Sequence, residues 1–416
     1  MASPAQKKRI LLSAYACEPG LGSEPAVGWH WAINLARAGH DVWVLTRANN
    51  APVIAHGLDD PEAASGRVHF LYYDLPRWAG WWKKGRRGIH LYYFLWQWRA
   101  AALAKKEHAK TPFDLVHHVT LVSARQPSFL GRLGVPFVFG PVAGGEKAPF
   151  RLRFGFSIRG WIGELARDAL NALARYDPFL RRTYRRASKI YLTSKENCRF
   201  VPRSEWPKTS IVLAIGTGPS DAPAVAPPVK AAGEGLRVLY VGHFLDLKGM
   251  HLGLPAFAGL CQLDPNARLT LIGDGPSEGR WRRLASHLGI ADRIAWHSWM
   301  PQEELLAAYA AHDVLLFPSL RDSGGMVVLE AMQQGLPVVC LDRGGPGVIA
   351  NDACGRVVAT DGLDRKAVIG GLSRALRSLA GDMVLRMRLS RGAKDRVAAF
   401  SWKEKVARIL AEVESQ

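Results

Sequence analysis

The stretch DVLLFPSLRDSGGMVVLEAMQQGLPVVC, residues 313–340, decides the fold. An apolar run, DVLLF, ends at Pro318; a loop holds Asp322, Ser323, Gly324 and Gly325; a helix starts near Met326 and carries Glu330 about one turn in; LPVVC is the next apolar run. Strand, loop, helix and strand in that order make one unit of a parallel sheet. Glycines at a helix start let backbone N–H groups approach a phosphate, where the helix dipole also favours negative charge. A carboxylate on the first turn can accept both hydroxyls of a ribose. One short element therefore offers a diphosphate cradle and a sugar clamp. The same residues, alone, also read as a helix capped by Ser323 after a tight glycine turn.

Upstream, LYVGHFLDLKGM at 239–250 sets His243 and Lys248 after another strand, and LTLIGDGP at 269–276 ends a third in the turn of Gly273 and Asp274. These loops lie at the carboxyl ends of parallel strands, where open α/β sheets bind ligands, and a Lys beside a Gly on that rim is a phosphate counter-charge. RIAWHSW and LPVVCLD continue the pattern, as do RILLSAYA, HDVWVLTR, FDLVHHVT, PFVFGPV and KIYLTS in the first half. The expectation is an α/β chain of two Rossmann-like, doubly wound parallel-sheet domains facing across a cleft. Residues 1–215 form the first, 216–235 a linker centred on PSDAPAVAPPVKAAGEG, 236–400 the second, and 401–416 a last helix packing back on the first domain.

The chain has 416 residues with 48% hydrophobic and 22% charged, an ordinary globular composition that excludes collagen, coiled coil and wholesale disorder. Its charge of +19 is uneven: residues 1–215 hold 32 Lys and Arg against 15 Asp and Glu, the remainder 23 against 21. Two inserts carry most of the excess. Residues 77–110 have nine basic residues, one acidic and five Trp (Trp78, Trp81, Trp82, Trp96, Trp98); residues 151–186 have nine basic and three acidic. An anionic partner should meet the first half. Five cysteines without a C-x-x-C pair suit a reducing compartment without structural zinc. KKRILLSAYAC at the start is read as a first buried strand, residues 9–16, rather than an export signal. IHLYYFLWQWRAAALA at 89–104 is interrupted by His90, Gln97 and Arg99 and falls short of a spanning helix.

Jointly, these motifs resemble the retaining glycosyltransferases of family 4, of GT-B architecture. Asp322 and Glu330 stand at the family's E-x7-E positions, GHFLDLKG at its G-R-x-x-x-x-K-G segment and GDGP at its G-x-G-P turn. GLGSEPAVGWHWAINLARAGHDVWVLT, 20–46, resembles the family's first loop and helix, and FDLVHHVT its acceptor-side histidine segment. The resemblance implies a hexosyltransferase-type enzyme in cell-surface polysaccharide synthesis. It would move a sugar from a nucleotide sugar to a glycan or lipid-linked acceptor with retention. Gly22 and Ser23 would lie beneath the donor diphosphate; Asp322 would contact the transferred sugar; His243 stands where the family has an Arg, beside Lys248. His118 is taken as the histidine reaching the cleft, with His117 its substitute because neighbouring strand residues face opposite ways. Glu146 is a further candidate.

No D-x-D occurs, so no metal and no cofactor are expected, and neutralisation would fall to Lys248, the glycine loop and the helix start at Met326. The basic, Trp-rich insert adds an expected peripheral contact with an anionic membrane at its cytoplasmic face. Other readings are a nucleotide-sugar epimerase or phosphorylase on the same architecture, and a basic nucleic-acid-binding protein. The second lacks any recognition motif, so no nucleic acid is expected. A dinucleotide oxidoreductase is disfavoured because GLGSEP does not complete G-x-G-x-x-G.

Overall fold

The computed structural model describes residues 7–20, 22, 24–58, 66–83, 85, 88–218 and 234–414. They form two compact units, each woven from separate stretches of chain: Met1–Gly145, Leu170–Gly216 and Trp402–Gln416 in the first, Glu146–Ala169 and Thr217–Ser401 in the second. Residues Glu146–Ala169, inside the stretch expected to form the first domain, thus pack with the second unit. Most of the expected linker lies outside the described residues.

The first unit is built on a seven-stranded sheet. Its strands are β1 (Arg9–Ala14), β2 (Asp41–Thr46), β3 (Val68–Tyr72), β4 (Leu115–Thr120), β5 (Phe137–Val142), β6 (Lys189–Leu192) and β7 (Thr209–Ile211), in the order β3-β2-β1-β4-β5-β6-β7. Every pairing is parallel. Order reverses between β1 and β4, a topological switch point whose outgoing loops diverge to opposite faces. β4 and β5 are buried at every residue, as central strands covered on both faces must be. Helix Ile89–Lys110 packs Tyr93, Trp96 and Ala100 into the core formed by Val116, Phe137, Phe139 and Leu192.

The last helix, Trp402–Glu414, belongs to this unit. Trp402 stacks on His30 at 5.1 Å and meets Trp31 edge-on at 6.0 Å, both on helix Glu24–Arg37. Lys405 is buried, its ammonium donating to the Ile215 carbonyl and lying over the Trp402 ring. Burial alone pushes its pKa down to about 7. Tyr191 donates to Glu412 at 2.8 Å.

The second unit has six strands, β8 (Arg237–Val241), β9 (Arg268–Ile272), β10 (Ile294–His297), β11 (Val314–Phe317), β12 (Val338–Leu341) and β13 (Gly355–Val358), in the order β10-β9-β8-β11-β12-β13, again wholly parallel. Its switch point falls between β8 and β11. Strands β3, β7 and β13 were not among those legible in the sequence: each is an edge or near-edge strand with an incompletely buried pattern. Among the described residues no helix is long and apolar enough to cross a membrane.

Candidate active site

The second unit's switch point brings the loops after β8 and β11 into contact. A side chain at Gly249 would put its Cβ 1.9 Å from the Pro318 carbonyl oxygen, and φ there is +76°, so only glycine permits the approach. Across this junction Lys248 Nζ donates to Asp322 Oδ2 at 2.5 Å, with both side chains mostly buried. The other oxygen of Asp322 accepts from the N–H groups of Gly324 at 3.0 Å and Gly325 at 2.9 Å. Asp322 is therefore turned onto its own loop. This departs from the expectation that it meets the transferred sugar, and the N–H groups of Gly324 and Gly325 are already committed to it. A side chain this short, two residues before the glycines, reaches its own backbone first.

Gly325, at φ +76°, precedes helix Met326–Gln333. Ser323 sits half-buried in this loop. Glu330, on the same helix, accepts from the Tyr309 hydroxyl at 2.9 Å. Burial raises the Glu330 pKa, partly offset by that hydrogen bond. Tyr309, on helix Gln302–Ala311, is itself buried. Sequence reasoning missed it, since a Tyr on an apolar helix face looks like core. On the adjoining rim His243 and Asp274 lie largely exposed, 3.4 Å apart. Gly273, at φ +140°, allows the turn after β9 to pass against the Gly242 carbonyl, 2.2 Å from where a Cβ would stand.

The segment that joins this unit from residue 146 onward also reaches the loop carrying Lys248. Asp246 accepts from the Ser157 N–H at 2.8 Å, the Ser157 hydroxyl at 2.6 Å and the Ser277 hydroxyl at 2.9 Å, and pairs with Arg280. Burial pushes its carboxyl up, but these donors outweigh burial and hold it below its ordinary value. Arg321, next to Asp322, pairs with the buried Glu164 at 3.1 Å. Glu146, a further candidate from the sequence, is buried.

In the first unit the corresponding residues behave differently. His117 and His118 do face opposite sides of β4, but helices cover both sides and neither ring reaches a surface. His117 bonds the Gly140 carbonyl at 2.7 Å and meets Trp31 edge-on. His118 lies 3.3 Å from the Tyr93 hydroxyl and beside Phe139. Its Nδ1 is buried without a hydrogen-bond partner. Burial lowers the two pKa values to about 4 and about 3, so both rings are neutral near pH 7. The expected cleft role of His118 is thus corrected: two-sided cover on a central strand buries whichever ring is chosen. Gly22 lies in the open loop after β1; Ser23 lies outside the described residues. Glu24, on the first turn after that loop, accepts from the Val122 N–H and ties the loops after β1 and β4 together. Of the basic insert, Trp78 and Trp81 are about three-quarters exposed (74% and 76%), Trp98 is 50% exposed, and Trp96 is fully buried. Lys84, Arg86 and Arg87 lie outside the described residues.

Comparison with known proteins places these features. Residues 226–396 match the family model described as "Glycosyl transferases group 1". The lipopolysaccharide core biosynthesis glycosyltransferase LpsE of Rhizobium meliloti (strain 1021) is 32% identical over 199 residues, 48% of this chain and 53% of that protein. The chain thus matches only about half the length of this curated relative. The catalytic domain of Starch Synthase IV from Arabidopsis thaliana, bound to ADP and acarbose, superposes with a TM-score of 0.64 at 12% identity, covering 99% of both chains. Anabaena HepE in complex with UDP gives 0.56 at 16% identity, covering 98% of this chain and 100% of that one. Over residues 226–396 the chain is thus similar to the glycosyl transferases group 1 family, and it has the GT-B fold.

Proposed function

We propose that the protein is a retaining glycosyltransferase that moves a sugar from a nucleotide-sugar donor to a glycan or lipid-linked acceptor in cell-surface polysaccharide synthesis, without a metal. The observation that carries this reading is the junction of Lys248, Asp322 and the glycine loop at the second unit's switch point. Asp322 uses one of the three ammonium protons of Lys248 and aims the other two, which can donate to diphosphate oxygens. The start of helix Met326–Gln333 supports the same negative charge through its dipole. As the sugar–phosphate bond breaks, charge grows on the leaving nucleoside diphosphate, and this fixed cation lowers the barrier more than it stabilises bound donor. Glu330 holds the ribose. With Oε2 engaged by Tyr309, its other oxygen is the one turned to a hydroxyl. His243, Gly273 and Asp274 border the donor.

LpsE, named for lipopolysaccharide core biosynthesis, and HepE with UDP support a nucleotide donor and a surface-glycan acceptor. The exposed Trp78, Trp81 and Trp98 among Arg and Lys support peripheral contact with an anionic membrane at its cytoplasmic face. The test is a panel of nucleotide sugars incubated with the protein in the presence of a chelator. One donor should raise the melting temperature by mass action, and its sugar should reach an acceptor with its anomeric configuration kept in the NMR spectrum of the product. An inverted product, or activity abolished by the chelator, overturns the reading.

A further inference from the structure

Helix Ile158–Ala174 is amphipathic in the inverted sense. Gly160, Glu164 and Asp168, at helical spacing, form its inward line. A Cβ at Gly160 would stand 2.3 Å from the Asp246 carboxylate, Glu164 pairs with Arg321, and Asp168 accepts from the fully buried Arg153 at 2.7 Å. The opposite line is apolar and faces outward. Ile158 is 80% exposed, Ile162 62% and Leu165 51%. Just before the helix, Phe150 and Phe154 are 57% and 54% exposed, and their rings pack against Trp161 at 5.1 and 5.9 Å. A soluble surface helix places its apolar stripe toward the core. Here the charged groups hold the stretch up to Ala169 to the second unit, and the apolar groups are left for something else.

We infer that this outward face of the second unit, Phe150 to Leu165, docks on an anionic lipid bilayer. Charge complementarity selects that occupant. Arg151 and Arg159 are exposed beside the apolar residues. A groove flanking Phe154 adds Arg365 and Lys366, with Asp364 the single acid there. Apolar and aromatic side chains at headgroup depth, ringed by cations, are the chemistry of an interfacial helix. The stripe itself offers no polar group with which a protein partner could satisfy hydrogen bonds. The inference deepens the membrane reading above and rests on it for the lipid charge, but it assigns a separate surface, on the other unit.

The experiment uses the full chain with vesicles of phosphatidylcholine alone and with added phosphatidylglycerol, read by sedimentation. Ile162→Glu with Leu165→Glu forms one variant, and Trp78→Ser with Trp81→Ser another. All these side chains are exposed, so folding should persist; circular dichroism and melting temperature check it. The wild type should partition onto the anionic vesicles and less so in salt. The Ile162/Leu165 variant should lose about tenfold or more in partition. Unchanged partition in that variant, with loss in the Trp variant, overturns this inference and leaves the first-unit reading standing. Loss only in the Ile162/Leu165 variant supports this face and removes the first-unit one. A wild-type dimer that the Ile162/Leu165 variant converts to monomer, with vesicle partition unaltered, makes the face a protein interface and overturns the inference. A wild type that stays off both vesicle types overturns both readings.

Discussion

The two switch points share one topology and hold opposite chemistry. Between β1 and β4 lie two neutral histidines sealed among Trp31, Tyr93 and Phe139. Between β8 and β11 lies an ion pair at the mouth of a glycine loop. The strand order that makes the crevice is the same, so the difference is made by where the polar residues fall. On the first unit they sit within a strand, where covering helices bury them. On the second, Lys248 and Asp322 sit seven and five residues past a strand end, where the chain is free to turn outward. A switch point positions loops; it confers function only when the loops, not the strands, carry the charge.

The largest expected effect comes from breaking the second junction. Lys248→Ala removes the cation paired with Asp322 and should slow turnover by about 10² or more, read as steady-state kcat with saturating donor. Activity within a few-fold of wild type would erase the contrast.

The first switch point should announce itself through acid instead. His117 and His118 have folded pKa values near 4 and 3, below their ordinary 6.5. The unfolded chain therefore takes up more protons between pH 6.5 and about 4, and folding stability falls as pH falls through that window. Each ring contributes a slope of up to about 1.4 kcal/mol per pH unit. Denaturant unfolding at pH 7 and pH 5 should show the loss, and His118→Phe should make the dependence shallower. An unchanged dependence in that variant would mean that His118 is solvated, and the two switch points would then be alike.

The smallest effect sharpens the second site. Tyr309→Phe frees Glu330 to swing and should weaken a ribonucleoside diphosphate by about three- to tenfold, the net worth of one ordinary hydrogen bond. Its 2′,3′-dideoxy counterpart should be untouched, as calorimetry can show. Glu330→Ala provides the reference. If that change spares the preference for ribose, the ribose assignment falls; if only Tyr309→Phe spares it, Tyr309 is merely structural.

Most of the fold was legible because its central strands are continuous apolar runs ending in punctuation, as in DVLLFP and LTLIGDG. Val68–Tyr72 and Gly355–Val358 were not, since strands with an exposed side lack that continuity. Loop residues of the second unit were found by spacing, because Gly, Lys and Asp after a strand carry a chemical meaning. What spacing could not show is that Asp322 is turned onto its own backbone, or that Tyr309 bonds Glu330: both depend on which atom is nearest in space. The assignment of Glu146–Ala169 to the second unit was hidden for the same reason. Its helix shows its charged side to the protein, and periodicity alone does not say which side of a helix faces in.

The path of the chain has a consequence for how the molecule is made. Helix Trp402–Glu414 belongs to the first unit yet is synthesised after the whole of the second. Until it leaves the ribosome, Trp31 and His30 lack their Trp402 partner and the Ile215 carbonyl lacks Lys405. Of the two units, the one that begins earlier along the chain is thus completed after the other. A chain cut short anywhere before Trp402 leaves His30 and Trp31 on helix Glu24–Arg37 without the ring that covers them.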